Sequence, residues 1–298
     1  MSGSDALSTR FELPEHAHPS FVPSRYDTSI GDSPMCIARS VGTSGTNDVT
    51  DVMVFQALFN LNVARFPAPR PAPLKVDGRI GAKTIGAIES FERVVMRLRD
   101  SDGMLAPGDA TVKALLKGLP PGPVKEKLGV VMPRALPQTV NRFYEPLVAG
   151  MKRHQITTPL RIAHFIAQIA HESASFRYTE EIASGSAYEG RADLGNIAEG
   201  DGPRFKGRGL IQLTGRANYT AYSEATGVDY LRAPQKIASD PFAAADVACW
   251  FWATHALNTL ADRDDVKAVT RRINGGYNGL DDRVEYLGRA KAVLGARP

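Results

Sequence analysis

Glu172 is the residue best placed in this chain to do acid chemistry. It sits in RIAHFIAQIAHESASFRYTEE, residues 161–181, where Ile162, Phe165, Ile166, Ile169 and Phe176 recur at three- and four-residue steps. That spacing predicts one apolar stripe of a helix. Glu172 lies seven residues after Phe165, three after Ile169 and four before Phe176, so it shares the phase of the stripe. A carboxyl facing an apolar wall is costly to ionise; its pKa should rise, leaving a proton available near neutrality. A general acid needs that property. A solvated glutamate at the edge of the stripe would show the same spacing, and helix phase alone does not separate the two.

A general acid in a hydrolase works with a second group, commonly another carboxylate, that activates water. The polar stretch after the helix offers Glu180, Glu181, Glu189, Glu199 and Asp201, and spacing does not choose among them. A glycine-rich segment follows, GDGPRFKGRGLIQLTGRANY at 200–219. Gly207 and Gly209 would let backbone approach a bound ligand such as a sugar closely, and Gln212, Thr214 and Asn218 offer it neutral donors and acceptors. Turn-stabilising hydrogen bonds are the competing use of those side chains. Other chemistries fail on the residues. HExxH needs histidine at 175, where Ser175 stands, and GRGLIQ lacks the third glycine of GxGxxG. There is no CxxC pair, and Asp262, Asp264 and Asp265 lack the spacing of a calcium loop. His164 and His171, seven residues apart on one helix face, read as hydrogen-bonded structural residues. No metal and no cofactor are expected, so dialysis against a chelator should leave the rate unchanged.

The elements that would hold these groups are mainly helical. Residues 1–40 are polar and aperiodic, an irregular lead-in. A small three-helix module is expected over 41–118. Its first helix carries Val49, Val52, Phe55 or Gln56, Phe59 and Val63 on one face, with Asn47 or Asp48 as N-cap. After the proline-rich FPAPRPAP, Asp77-Gly78 marks a turn, and Gly81 lets the backbone bend before a helix over Ala82–Val95. The unit repeats about 25 residues on: turns at Asp102-Gly103 and Pro107-Gly108, a cap at Asp109, and a short helix bearing Val112, Leu115 and Leu116. Prolines and glycines predict a linker over 119–130. In the remaining domain, 131–298, helices are expected over Pro137–Met151, Phe242–Leu260 with Asp240 as cap, Asp264 or Asp265 to Ile273, and Asp281–Leu294. Only Leu210–Leu213 has β-like letters, so any sheet is short.

Composition is compatible. The 298 residues suit two domains, and 43% hydrophobic with 23% charged residues is ordinary for a soluble globular chain. No apolar run reaches membrane-spanning length, so no stable membrane insertion is expected. The N-terminus lacks a basic segment followed by an apolar core, which predicts synthesis in a cytoplasm without a secretory signal. Cys249 lies in AADVACWFWATHAL and reads as a buried hydrophobe; with Cys36 the only other cysteine, no disulfide scaffold is possible. A net charge of +4 and a pI near 9.0 give mild attraction to polyanions. Nucleic acid and an anionic cell wall are the two candidates; without a Lys/Arg block nucleic acid is the weaker and is not expected as a partner, and the chain is expected to act as a monomer.

HES at 171–173, Glu181 nine residues after Glu172, GRGLIQLTGRANY at 207–219 and INGGYNG at 273–279 together resemble glycoside hydrolase family 19. More narrowly, they resemble the phage endolysins (lysozymes) of that family, over roughly 150–295. The resemblance implies a two-lobed, lysozyme-like helical domain and an inverting mechanism with Glu172 as acid. Bacterial and phage members carry the second glutamate nine residues after the first, which makes Glu181 the base; the longer interval of plant-type members would make it Glu189. Thr214, serine in many chitinases, would help hold the water, and Asn218 would bind an N-acetyl sugar. Gln212, Asn274 and Arg283 match further cleft positions, although an ion pair on the last helix is the plainer use of Arg283. The repeated turn-then-helix unit is carried by Asp77, Gly78, Ile80, Gly81, Thr84, Ala87 and Phe91, with Asp102 and Gly103 echoing them. It resembles peptidoglycan-binding domain 1, from which the FPAPRPAP insertion departs. Together these imply a modular endolysin that binds peptidoglycan and cuts its β-1,4 bond between N-acetylmuramic acid and N-acetylglucosamine. A chitinase, a delivered interbacterial toxin and a non-catalytic wall binder are the alternatives.

Overall fold

The computed structural model describes residues 35–297; most of the lead-in expected over 1–40 therefore lies outside the described residues. The first helix, α1 (Val49–Asn62), starts at a cap: the Asp48 carboxylate accepts from the Thr50 N–H. The expected single apolar face is corrected. Val49 is 52% exposed, while Val54, Gln56 and Leu58 are covered along with Val52, Phe55 and Phe59. Its neighbours explain this. The helices α2 (Ala82–Ser90), α3 (Ala110–Lys117) and α4 (Lys125–Val131) follow it in the chain, and α1 is packed between α3 and α4. A two-stranded antiparallel sheet, β1 (Val41–Gly42) with β2 (Met104–Leu105), closes this region.

Three local expectations change here. The helix predicted over Ala82–Val95 is α-helical only to Ser90, and Phe91–Val95 winds as a π-helix. There the buried Glu92 carboxylate is met by the hydroxyls of Ser101 and Thr111. Gly81 is extended, a conformation open to any residue, with nothing near a would-be Cβ. The demand for glycine falls on Gly78 instead, where φ is +72° and a Cβ would lie 2.6 Å from Val49 Cγ1. The Gln56 carboxamide organises that turn, accepting from the Asp77 and Gly78 N–H groups and donating to Asp77 Oδ1 and Thr84 Oγ1. Finally, the linker predicted over 119–130 is not irregular throughout. Its second half is α4, whose Leu128, Val130 and Val131 are buried, because α4 packs on both α1 and the last helix.

The rest of the chain forms α5 (Pro137–Arg153), α6 (Pro159–Glu172), α7 (Asp201–Arg204), α8 (Arg216–Thr226), α9 (Lys236–Ser239), α10 (Pro241–Thr254), α11 (Leu257–Ala261), α12 (Val266–Asn274) and α13 (Leu280–Leu294). The predicted long helix over Phe242–Leu260 is split by Ala256, which is left-handed, and Phe242 at its start is exposed. Gly150 lets α5 come close to α10, since a Cβ there would stand 2.9 Å from Cys249 Sγ. Cys36 and Cys249 are both buried free thiols. The apolar core is continuous from α1 through α4 to α6, α10 and α13, so the two parts of the chain are joined by packed helix and not only by a tether. The architecture is mostly helical with a minor β element, as expected, but that element lies before residue 110. Residues 210–213 form turns, and only isolated bridges, Glu180 with Arg208 and Arg208 with Leu213, occur there.

Candidate active site

Glu172 is the last residue of α6, a helix that starts with Thr158 as cap and Pro159 in its first turn. The helix buries Phe165, Ile166 and Ile169 as the stripe predicts. Phe176 is also buried, but not by helix phase. The helix ends at Glu172, and Ala174, Ser175 and Phe176 follow with φ of 49°, 59° and 67°. The Glu172 side chain is only 3% exposed. Its wall is not apolar, which corrects the premise of an isolated carboxyl. Arg283 of α13, itself 1% exposed, places a guanidinium nitrogen 2.5 Å from Glu172 Oε1. The same guanidinium donates to Gln168 Oε1, four residues back on α6. Beside this pair His171 Nδ1 meets Asp282 Oδ2 at 2.7 Å. The Asp282 side chain is half exposed; against what burial it has, the hydrogen bond and charge of His171 hold its carboxyl below the ordinary value. His171 lies against Gly279: a Cβ there, at φ +69°, would fall 2.2 Å from the ring.

Glu181 is held differently. Its Oε1 accepts from the Tyr188 hydroxyl at 2.9 Å and its Oε2 from the Gly207 N–H at 3.1 Å, and its own N–H donates to Gly207 O. Burial pushes the Tyr188 phenol up, and Glu181 adds to the effect, so Tyr188 is a donor at any ordinary pH. Gly207 is small for a reason: a Cβ would meet Gln212 Oε1 at 2.9 Å and Glu181 Oε2 at 3.3 Å. Gly209, by contrast, faces the protein interior, where a Cβ would clash with Val247 of α10; the expected approach of its backbone to a sugar is corrected. Gln212 Nε2 donates to Gly209 O, while its buried Oε1 has no hydrogen-bond partner. Thr214 Oγ1 donates to Gln212 O and Asn218 Nδ2 to Thr214 O, so both side chains brace the loop.

Of the other candidate carboxylates, Glu199 is exposed, and Glu189, Asp201 and Glu180 are engaged in holding loops. Glu189 accepts from the Gly200 and Gly202 N–H groups at 2.7 and 2.8 Å. Asp201 is ion-paired to Arg216, whose hydrogen bond lowers its pKa against the effect of burial. Glu180 pairs with Arg208 and Lys206. His164 meets Asp264 at 2.8 Å, and Asp262 pairs with Arg161. The structure thus brings Glu172 together with Arg283 and sets Glu181 beside Gly207 and Gln212, while Thr214 and Asn218 bond only to backbone oxygens of the following segment. Asn274 stands at the end of α12, donating within its own loop to Asn278 O at 3.4 Å. Gln168 and Tyr188 escaped the sequence reading. Gln168 had a signal, a polar residue four before Glu172 in an apolar run. Tyr188 had none.

Residues 150–269 match the glycoside hydrolase family 19 model, described as chitinase class I. A glycosyl hydrolase family 19 domain-containing protein of Haemophilus influenzae is 30% identical over 185 residues, covering 52% of this chain and 90% of that protein. An Arabidopsis thaliana endochitinase is 38% identical over 115 residues, 39% of each chain. The chain spans about half the length, or less, of the plant endochitinases it matches. Chitinase C of Streptomyces griseus HUT6037 shares the fold at a TM-score of 0.50 and 19% identity, over 58% of this chain and 93% of that one.

Proposed function

The chain belongs to glycoside hydrolase family 19, and from that premise we propose that it hydrolyses the β-1,4 bond between N-acetylmuramic acid and N-acetylglucosamine in peptidoglycan, with inversion. The observation that carries the chemistry is the pair of shielded carboxylates in unlike frames, Glu172 against Arg283 and Glu181 against Tyr188 and Gly207. Glu172 passes a proton to the leaving glycosidic oxygen as the bond to the anomeric carbon breaks. Glu181 takes a proton from the water that attacks that carbon from the opposite face. Arg283 holds Oε1 of Glu172 and so fixes the orientation of the carboxyl. Gln212 Oε1, a buried acceptor without a partner, suits an amide N–H or hydroxyl of an N-acetyl sugar. Thr214, on the loop, and Asn218, in the first turn of α8, are tied to the Gln212 segment through its backbone oxygens.

Residues 41–118 in this reading hold the enzyme to the wall polymer, which raises local substrate concentration. They do so from a fixed position, because α4 packs them onto the catalytic part. The role is that of an endolysin acting on the wall after synthesis in a cytoplasm. A chitinase is the second reading, favoured by the names of the plant relatives. Purified protein incubated with murein sacculi and with chitin, with released fragments analysed by mass spectrometry, tests both. New reducing ends on muramic acid are expected. Fragments from chitin alone would favour the second reading, and none from either polymer would leave a wall-binding protein.

A further inference from the structure

Three side-chain pairs tie α6 and its exit to the first turns of α13, and all three have a sequence separation of 111. His171 Nδ1 meets Asp282 Oδ2 at 2.7 Å, Arg283 meets Glu172 at 2.5 Å, and Ser175 Oγ meets Tyr286 OH at 3.0 Å. α6 and α13 run antiparallel, with His164 and Lys291 sharing Asp264 at their far ends; at the near end the start of α13 meets the end of α6 and the turn beyond it at three successive rungs. Glu172 is on the middle rung.

The outer rungs bear on unusual backbone. Ala174, Ser175 and Phe176 are left-handed in succession, a conformation that side chains disfavour and that persists only where surrounding contacts impose it. The Ser173 hydroxyl donates to Ile169 O at 2.6 Å and accepts from the Phe176 N–H at 2.9 Å. The Ser175 N–H reaches back to Ala170 O at 2.7 Å. Phe176 then packs edge-on against Phe143 of α5. This turn is the only covalent path from Glu172 to Glu181, so its shape decides where the second carboxylate stands relative to the first. On the other flank, Gly279 leaves room for the His171 ring that Asp282 grips.

We infer that Asp282 and Tyr286 are positioning residues: α13 clamps both flanks of Glu172, and through the left-handed turn it sets the separation of the two carboxylates. The inference rests on Glu172 being the acid. Burial raises the Tyr286 phenol, and either hydroxyl of the Ser175 rung can donate.

The test uses the full chain and whichever of soluble N-acetylglucosamine oligomers and soluble murein glycan strands it turns over. Glu172→Gln, Asp282→Asn, Tyr286→Phe, Ser175→Ala and the Ser175→Ala/Tyr286→Phe double variant are compared at 25 °C. Asp282→Asn and Tyr286→Phe should each lower kcat about tenfold with KM changed less than about twofold. The double variant should be no slower than its slower parent, since both changes break one rung. Glu172→Gln should abolish turnover. A merely structural role would lower the melting temperature and leave kcat per folded molecule unchanged; that result in both conservative variants overturns the inference. Full activity in Glu172→Gln would instead remove the acid assignment itself, and the clamp with it.

Discussion

Glu172 and Glu181 are nine residues apart in the chain, yet their surroundings are built from different materials. Glu172 ends a 14-residue helix and is gripped by side chains from another helix, above all the Arg283 guanidinium. Glu181 lies in a loop and receives neutral donors, one from a side chain and one from the main chain at Gly207. A charge pair between packed helices depends on the partner residue itself. A frame made partly of backbone depends on the loop's path and tolerates changes of side chain around it. One carboxylate is thus vulnerable to substitution on α13, the other to disruption of residues 207–214.

The largest effect should come from Glu181→Gln, which removes the base while keeping both hydrogen bonds feasible. Activity should fall about 10²–10⁴-fold with the melting temperature little moved, read from reducing ends released and a thermal melt. Retained activity would break the comparison at its root. Arg283→Ala removes a buried cation that holds both Glu172 and Gln168 and should cost about 3–5 kcal/mol, measured by urea unfolding. A loss under about 1 kcal/mol would mean that Glu172 is as solvated as a surface group.

Two glycines sharpen the same contrast. Gly279 and Gly190 have similar φ, +69° and +67°, but a Cβ at Gly190 meets nothing within 4 Å. Each alanine variant bears about 1–2 kcal/mol for the left-handed backbone. Gly279→Ala must also displace the His171 ring, so its melting temperature should fall further and its activity with it. Tyr188→Phe takes one neutral donor from Glu181, a net loss of about 0.5–1.5 kcal/mol, and should slow kcat by about tenfold at most. Acid is the gentlest probe. Asp201, Asp246, Asp264 and Asp282 all have folded pKa values held below the ordinary one. The unfolded chain therefore binds more protons as pH falls. The stability these groups contribute is complete above about pH 4 and is lost as pH drops through their folded values. Urea midpoints between about pH 3 and pH 6 should fall only at the acid end.

Much of this was legible in the residues. The caps at Asp48, Asp109, Asp240 and Asp265 start helices where their side chains meet the next N–H groups. The stripe through Phe165 and Ile169 is buried as periodicity demands. Both signals are local, and local spacing encodes helix phase and capping directly. Phe176 shows the limit: it continues the count but not the helix, because three left-handed residues intervene for which no letter in ASF gives warning. The end of the predicted linker misled for a related reason. Leu128, Val130 and Val131 look like a short apolar run, and only the presence of α1 and α13 on either side makes them a helix in the core.

By itself, then, the sequence determined the helical class, most caps, and the candidacy of Glu172, since these depend on residue type at short range; Glu181 stood among several carboxylates and was singled out by the family resemblance alone. The tertiary structure alone decided what faces each carboxylate. An apolar stripe says that Glu172 will be covered, but Arg283 reaches it from 111 residues away, and no periodicity in either helix specifies the charge its partner will bring. Tyr188, Asp282 and Tyr286 enter for the same reason: their effect comes from proximity across packed elements, which is a property of the fold and not of any segment.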